Sequence, residues 1–206
     1  GLGTVTSAPV TAAPVPPVYA TNGPVLSPSP PTFSWLQLGS DVDGLLSDDR
    51  FGYSVSLSRD GMVVAVGARL NDNADGGEDA GHCRVLVFDG NDWIRKGQDL
   101  NGAAPDDQSG YAVALSADGD VVIVGSIKGD SAGGENAGTA RIYRYHHAPS
   151  STWIQLGQDL HGEGESDYFG SSVAISSDGS RVIIGGDGNN NINGINAGHA
   201  RVFQLV

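Results

Sequence analysis

Three tryptophans, Trp35, Trp93 and Trp153, each open the same ordered series of residues. A glycine follows four residues on (Gly39, Gly97, Gly157), an aspartate six on (Asp41, Asp99, Asp159) and a second glycine nine on (Gly44, Gly102, Gly162). Then come Phe51-Gly52-Tyr53-Ser54-Val55, Ser109-Gly110-Tyr111-Ala112-Val113 and Phe169-Gly170-Ser171-Ser172-Val173. A Ser-x-Asp-Gly turn at 58–61, 116–119 and 176–179 precedes an apolar run, and Ala-Gly at 80–81, 137–138 and 197–198 leads into an arginine-bearing segment. Agreement at this many fixed offsets means internal duplication. The copies span 35–92, 93–152 and 153–206. Such a chain folds as one supersecondary unit repeated, each copy burying a face against its neighbour.

The unit is a small sheet. Each copy holds four short runs rich in β-branched and aromatic residues, at 53–57, 63–66, 84–88 and 93–97 in the first, bounded by Gly, Asp or Asn. No stretch shows a helical period. The first two runs are joined by an Asp-Gly turn, a direct hairpin signal. Four antiparallel strands at a period near 60 predict an all-β fold of β-propeller blades.

The runs from Phe51-Gly52 to Val66-Gly67-Ala68 and from Phe169-Gly170 to Ile184-Gly185-Gly186 resemble the FG-GAP repeat, the blade unit of integrin α-chain propellers and related surface proteins. The middle copy departs from it, with Ser109 in place of Phe. The resemblance implies a secreted or cell-surface module with binding or adhesive roles. The calcium loop of that family lies between the first two strands. Here that place holds only Arg59-Asp60-Gly61, Ala117-Asp118-Gly119 and Ser177-Asp178-Gly179, too short to wrap an ion that takes six to eight oxygens.

The formal net charge is −13 and the only lysines are Lys96 and Lys128, which argues against nucleic acid and anionic membrane surfaces. No apolar run is long enough to insert in a membrane. Strand alternation gathers the fourth-to-first and second-to-third strand loops on one face, and 18 of the 24 acidic residues fall in them. In one of these loops Asn71, Asn73, Asp75 and Asp79 offer oxygens around the Gly76 turn, a candidate calcium site. The same spacing suits a solvated loop rich in turn formers. Asp49, Asp107 and Asp167 share one repeat position and are expected to cap their own turns.

Enzymatic chemistry finds little support, and no catalytic residue is assigned. A catalytic group belongs to one blade, whereas most polar residues here recur. Glu163 and Glu165 could pair as carboxylates but have no legible base; a propeller-type hydrolase is therefore the weakest alternative. His82 and His199 match across copies and read as structural, His146 and His147 as exposed loop residues. Cys83, the lone cysteine, reads as a small buried residue. Gly52, Gly110 and Gly170 predict a backbone requirement where the first strand begins. Trp35, Trp93 and Trp153 predict outer-strand packing, with sugar stacking the alternative for an exposed one.

Residues 1–33 hold eight of the ten prolines and no charge, and read as an extended polyproline-II arm or linker. A first residue other than Met suggests a processed product or fragment. Three blades are too few to close a ring. The repeat enters on an outer strand at Trp35 and leaves after the arginine-bearing strand at 201–205. A further copy of the chain, another protein chain, or a missing part of a longer chain is therefore expected to complete the propeller. The expected function is a non-catalytic extracellular structural or adhesive module that associates with other protein chains; the alternative is calcium-assisted binding of a glycan or protein.

Overall fold

A computed structural model describes residues 33–206; the arm expected at 1–33 lies, but for Phe33, outside them. Contacts divide the chain into Gly1–Leu36 and Gln37–Val206. In the first unit, Phe33 to Leu36 have no regular structure, and Phe33, Trp35 and Leu36 are exposed.

The second unit is all β. Its first sheet runs β1 (Phe51–Leu57), β2 (Val63–Ala68), β3 (His82–Phe88) and β4 (Trp93–Arg95), with β5 (Leu100–Asn101) also paired to β3. The second repeats this with β6 (Ser109–Leu115), β7 (Val121–Ser126), β8 (Thr139–His146), β9 (Thr152–Gln155) and β10 (Leu160–His161). The third has β11 (Ser172–Ile175), β12 (Arg181–Gly186) and β13 (His199–Gln204). The pairings between these strands are antiparallel, and an isolated parallel bridge joins Gly81 to Ser109. These are three consecutive blades of a β-propeller-type fold. The first-strand hairpins close as the Ser-x-Asp-Gly motif dictates. The Ser58, Ser116 and Ser176 hydroxyls donate to Asp60, Asp118 and Asp178 and accept the amides of Val63, Val121 and Arg181.

Two cores lie between blades. Val63, Ala65, Cys83 and Val85 of the first face Val113, Leu115, Val122, Val124 and Trp153. Ile123 and Ala140 of the second face Phe169, Val182 and Ile184. Each blade thus offers a downstream face to the next and an upstream face to the one before, from alternate positions of the same strands. At each seam the first strand approaches the preceding backbone. Gly110 has φ +84, and a Cβ there would lie 3.0 Å from Gly67 Cα.

Candidate functional site

The two acidic loop sets do converge, and their side chains are largely occupied by their own backbone. Asp107 Oδ2 accepts the amides of Ala103 and Ala104, both at 3.1 Å; Asp167 Oδ2 accepts Glu163 and Gly164 at 2.9 and 2.8 Å; Asp49 Oδ2 accepts Leu46 at 3.2 Å. All three are buried. The Asn71 amide donates to Asp49 Oδ2 and the Asn189 amide to Asp167 Oδ2, tying one loop set to the other. For Asp107, burial outweighs the backbone hydrogen bonds and raises the carboxyl above its usual range.

The loop at 71–79 follows the same logic. Asn73 Oδ1 accepts the amides of Asp75 and Gly76, its amide donates to the Gly81 carbonyl, and Asp75 Oδ2 accepts Asn101. Asp79 contributes its backbone amide, to Asp72 Oδ1. Asn136 and Asn196 make the equivalent bond to Asp130 and Asn190. The recurrence of this capping in every blade explains the oxygen spacing as turn construction. Asn71, Asn73 and Asp75 line a cleft of about 540 Å³ that also carries Arg84 and Arg95. Among the described residues no three Asp, Glu, His or Cys side chains converge as a metal-holding group.

Glu163 and Glu165 line a cleft of about 440 Å³, but Glu163 is turned to Arg201 at 3.2 Å. His147 is exposed and bonds Asp120 at 2.8 Å. The Thr139 hydroxyl meets His161 Nδ1 at 3.2 Å as a cross-strand neighbour, and no carboxylate bonds that imidazole among the described residues. Burial pushes the Cys83 thiol up to about 12, so it is no nucleophile.

The seams carry the more specific constellation. Trp153 is buried, and its Nε1 donates to the Lys96 carbonyl of the preceding outer strand at 2.6 Å. Its ring lies over Gly97, where a Cβ would fall 2.7 Å from Cδ1. Trp93 repeats the arrangement one blade earlier: Nε1 donates to the Leu38 carbonyl at 2.8 Å, over Gly39. The Trp-x-x-x-Gly spacing therefore encodes a seat, in which each tryptophan covers the glycine of the preceding repeat. Trp35 departs from the outer-strand expectation. It is fully exposed and lies in no strand, because no described third strand flanks it.

Sequence reasoning missed what the aspartates do. Arg84 on β3 clasps Asp99 with Nε to Oδ1 at 2.9 Å and Nη2 to Oδ2 at 2.8 Å. Arg141 on β8 clasps Asp159 Oδ2 with Nε at 2.9 Å and Nη2 at 2.8 Å. Burial opposes ionisation of Asp99 and Asp159, but the arginine bonds outweigh it and both carboxyls fall below their usual range. The repeated Arg and the repeated Asp were both legible as offsets; their pairing needs the third strand and the following loop placed side by side. Lys96, buried, donates to the Gly119 carbonyl at 2.8 Å and Asp120 at 2.6 Å, a bond without a counterpart at Leu38 or Leu156.

The FG-GAP repeat family matches residues 42–85 and 162–203. No curated protein matches. Among solved structures, a chain of the Kuenenia stuttgartiensis hydrazine synthase is similar at 13% identity with a TM-score of 0.45, over 83% of this chain. The present chain spans only 36% of that one.

Proposed function

We propose, from the premise that this chain carries FG-GAP repeats, that it is a non-catalytic structural or adhesive module that acts outside the cell by associating with other protein chains. The observation that carries this reading is the contrast between sealed and open blade faces. Val113 and Leu115 are 8% exposed against the first blade, whereas Val55 and Leu57, their counterparts on the first blade, are 69% and 62% exposed. Apolar surface of this kind marks an interaction site. The polar loop side chains, by contrast, are spent on repeated turn capping. The net charge of −13 suits a soluble, cation-rich exterior, and no described helix is long and apolar enough to cross a membrane.

Cross-linking followed by co-precipitation from the extracellular fraction of the source cells tests this, with wild type against Leu57→Asp. A protein partner, another copy included, that is lost in the variant is the expected result. Recovery of the chain only inside cells, or with no protein partner, sinks the reading. Calcium-assisted binding of a glycan or protein is the second reading, and rests on the cleft that Asn71, Asn73 and Asp75 share. It ranks lower because the Asn73 oxygen and one Asp75 oxygen already accept hydrogen bonds. Calorimetric titration with calcium, wild type against Asp75→Ala, tests it; no heat in the wild type discards it.

A further inference from the structure

Most polar groups of the loop face recur from blade to blade because the turns need them; one cluster at its inner edge does not recur. Among the described residues, only Arg50, Arg69 and Lys128 bring a full positive charge to loops that hold 18 of the 24 acidic residues. All three lie at ends of first or second strands: Arg50 just before β1, Arg69 just after β2 and Lys128 just beyond β7. Leu70 N donates to the Asp49 carbonyl and Lys128 N to the Asp107 carbonyl, which lays these strand ends side by side within each blade. The matching positions hold unlike residues. Arg50 answers to Gln108 and Tyr168, and Arg69 to Ile127 and Asp187.

The backbone sharpens the contrast. Arg50, Gln108 and Tyr168 have φ +58, +56 and +54, a conformation that glycine adopts without steric cost. The turn needs that φ in every blade, yet the side chain it carries is long and differs each time. The fold therefore does not select it, and long side chains kept at a strained position point to use.

Arg69 is the most firmly held of the cations. Its guanidinium lies 4.7 Å from the centre of the Tyr53 ring, and its Nη1 donates to Gln108 Oε1 at 2.9 Å. Gln108 is itself 6% exposed, and Tyr53 packs on Tyr111 of the next blade with ring centres 5.0 Å apart. All of these groups stand in the seam between the first two blades. Neutral groups thus fix the cation. Among the described residues no carboxylate pairs with it, and its Nε has no partner. Arg84 and Arg141, by contrast, each clasp an aspartate. A guanidinium held in place and left without a counter-ion is set for a carboxylate from outside, whose geometry its planar fork matches.

We propose that Arg69, braced by Tyr53 and Gln108, takes a carboxylate side chain of a partner protein, with Arg50 and Lys128 drawing that charge inward. The acidic loops around this patch repel a broadly acidic surface, so the partner presents one acidic residue on a short projection rather than an acidic tract. The proposal rests on the protein-association reading above and names the chemistry of the contact.

Nuclear magnetic resonance titration of the isotope-labelled whole chain at low salt tests it, with acetyl-Gly-Glu-Gly-amide as the probe and its glutamine counterpart as the control. Saturable shifts of the Arg69 Nε–H and the Gln108 side-chain amide at millimolar glutamate peptide are expected, and none with the glutamine peptide. Arg69→Gln is expected to weaken binding at least about tenfold. Arg69→Lys keeps the charge but loses the fork and is expected to weaken it about threefold, which preserves the test if the glutamine variant does not fold. Arg59→Gln removes an equal charge from the exposed turn between β1 and β2, and is expected to bind as wild type does. No saturable shift at Arg69 overturns the proposal, as does an equal response to the glutamine peptide, or an affinity that Arg69→Gln and Arg59→Gln share. If a protein partner co-precipitates and is held equally by Arg69→Gln, the general reading stands and this one fails.

Discussion

The glycine that opens each first strand separates two effects that a sequence motif merges. Gly52 and Gly110 have φ +88 and +84, so both carry the conformational requirement. Gly110, like Gly170, also abuts the preceding blade, whereas among the described residues nothing lies within 4 Å of the Gly52 Cβ position. Gly110→Ala is therefore expected to cost about 2–4 kcal/mol and Gly52→Ala about 1–2 kcal/mol, read by urea unfolding. Equal costs would mean that backbone approach contributes nothing. Cys83, fully buried with its thiol pushed up to about 12, is expected to be unreactive toward a thiol reagent at pH 8 until the chain is unfolded. Rapid reaction in the native state would contradict its place in the core.

At the scale of elements, the Arg–Asp clasps determine how the blades respond to acid. The Asp99 and Asp159 carboxyls lie below their usual range in the folded chain. Their stabilisation is thus complete above the unfolded value of about 3.9 and is lost as pH falls through the lower folded value. Thermal melts from pH 5 to pH 2 are expected to fall, and to fall less in Asp159→Asn; an unchanged pH slope in that variant would remove the clasp from the account. Asp107, raised by burial, works in the opposite sense: its ionisation above the usual range costs stability. Trp153→Ala is expected to cost about 3–5 kcal/mol through the cavity it leaves. The first three strands of each blade were legible because β-branched runs and Asp-Gly turns signal locally. β5 and β10 were not, since two residues such as Leu100 and Asn101 carry no periodicity and pair only because the loop returns along β3. The acidic loops were legible as composition, and Asp49, Asp107 and Asp167 as caps. The clasp was not, because Arg84 meets Asp99 only when β3, β4 and β5 are in register.

For the whole molecule, arginine–aspartate clasps and alternate apolar positions recur along the blades, and the first seam adds a tryptophan seat. A tryptophan on a glycine, an arginine on an aspartate and alternate apolar positions face to face join the first blade to the second. The whole-chain account therefore makes the blades one cooperative array rather than independent sheets. Hydrogen–deuterium exchange of the intact chain, wild type against Trp153→Ala, tests that claim most directly. Amides of β2, β3, β6 and β7, whose side chains pack with Trp153 in the first seam, are expected to lose protection together in the variant. Loss confined to β9 and its neighbour β8 would contradict it.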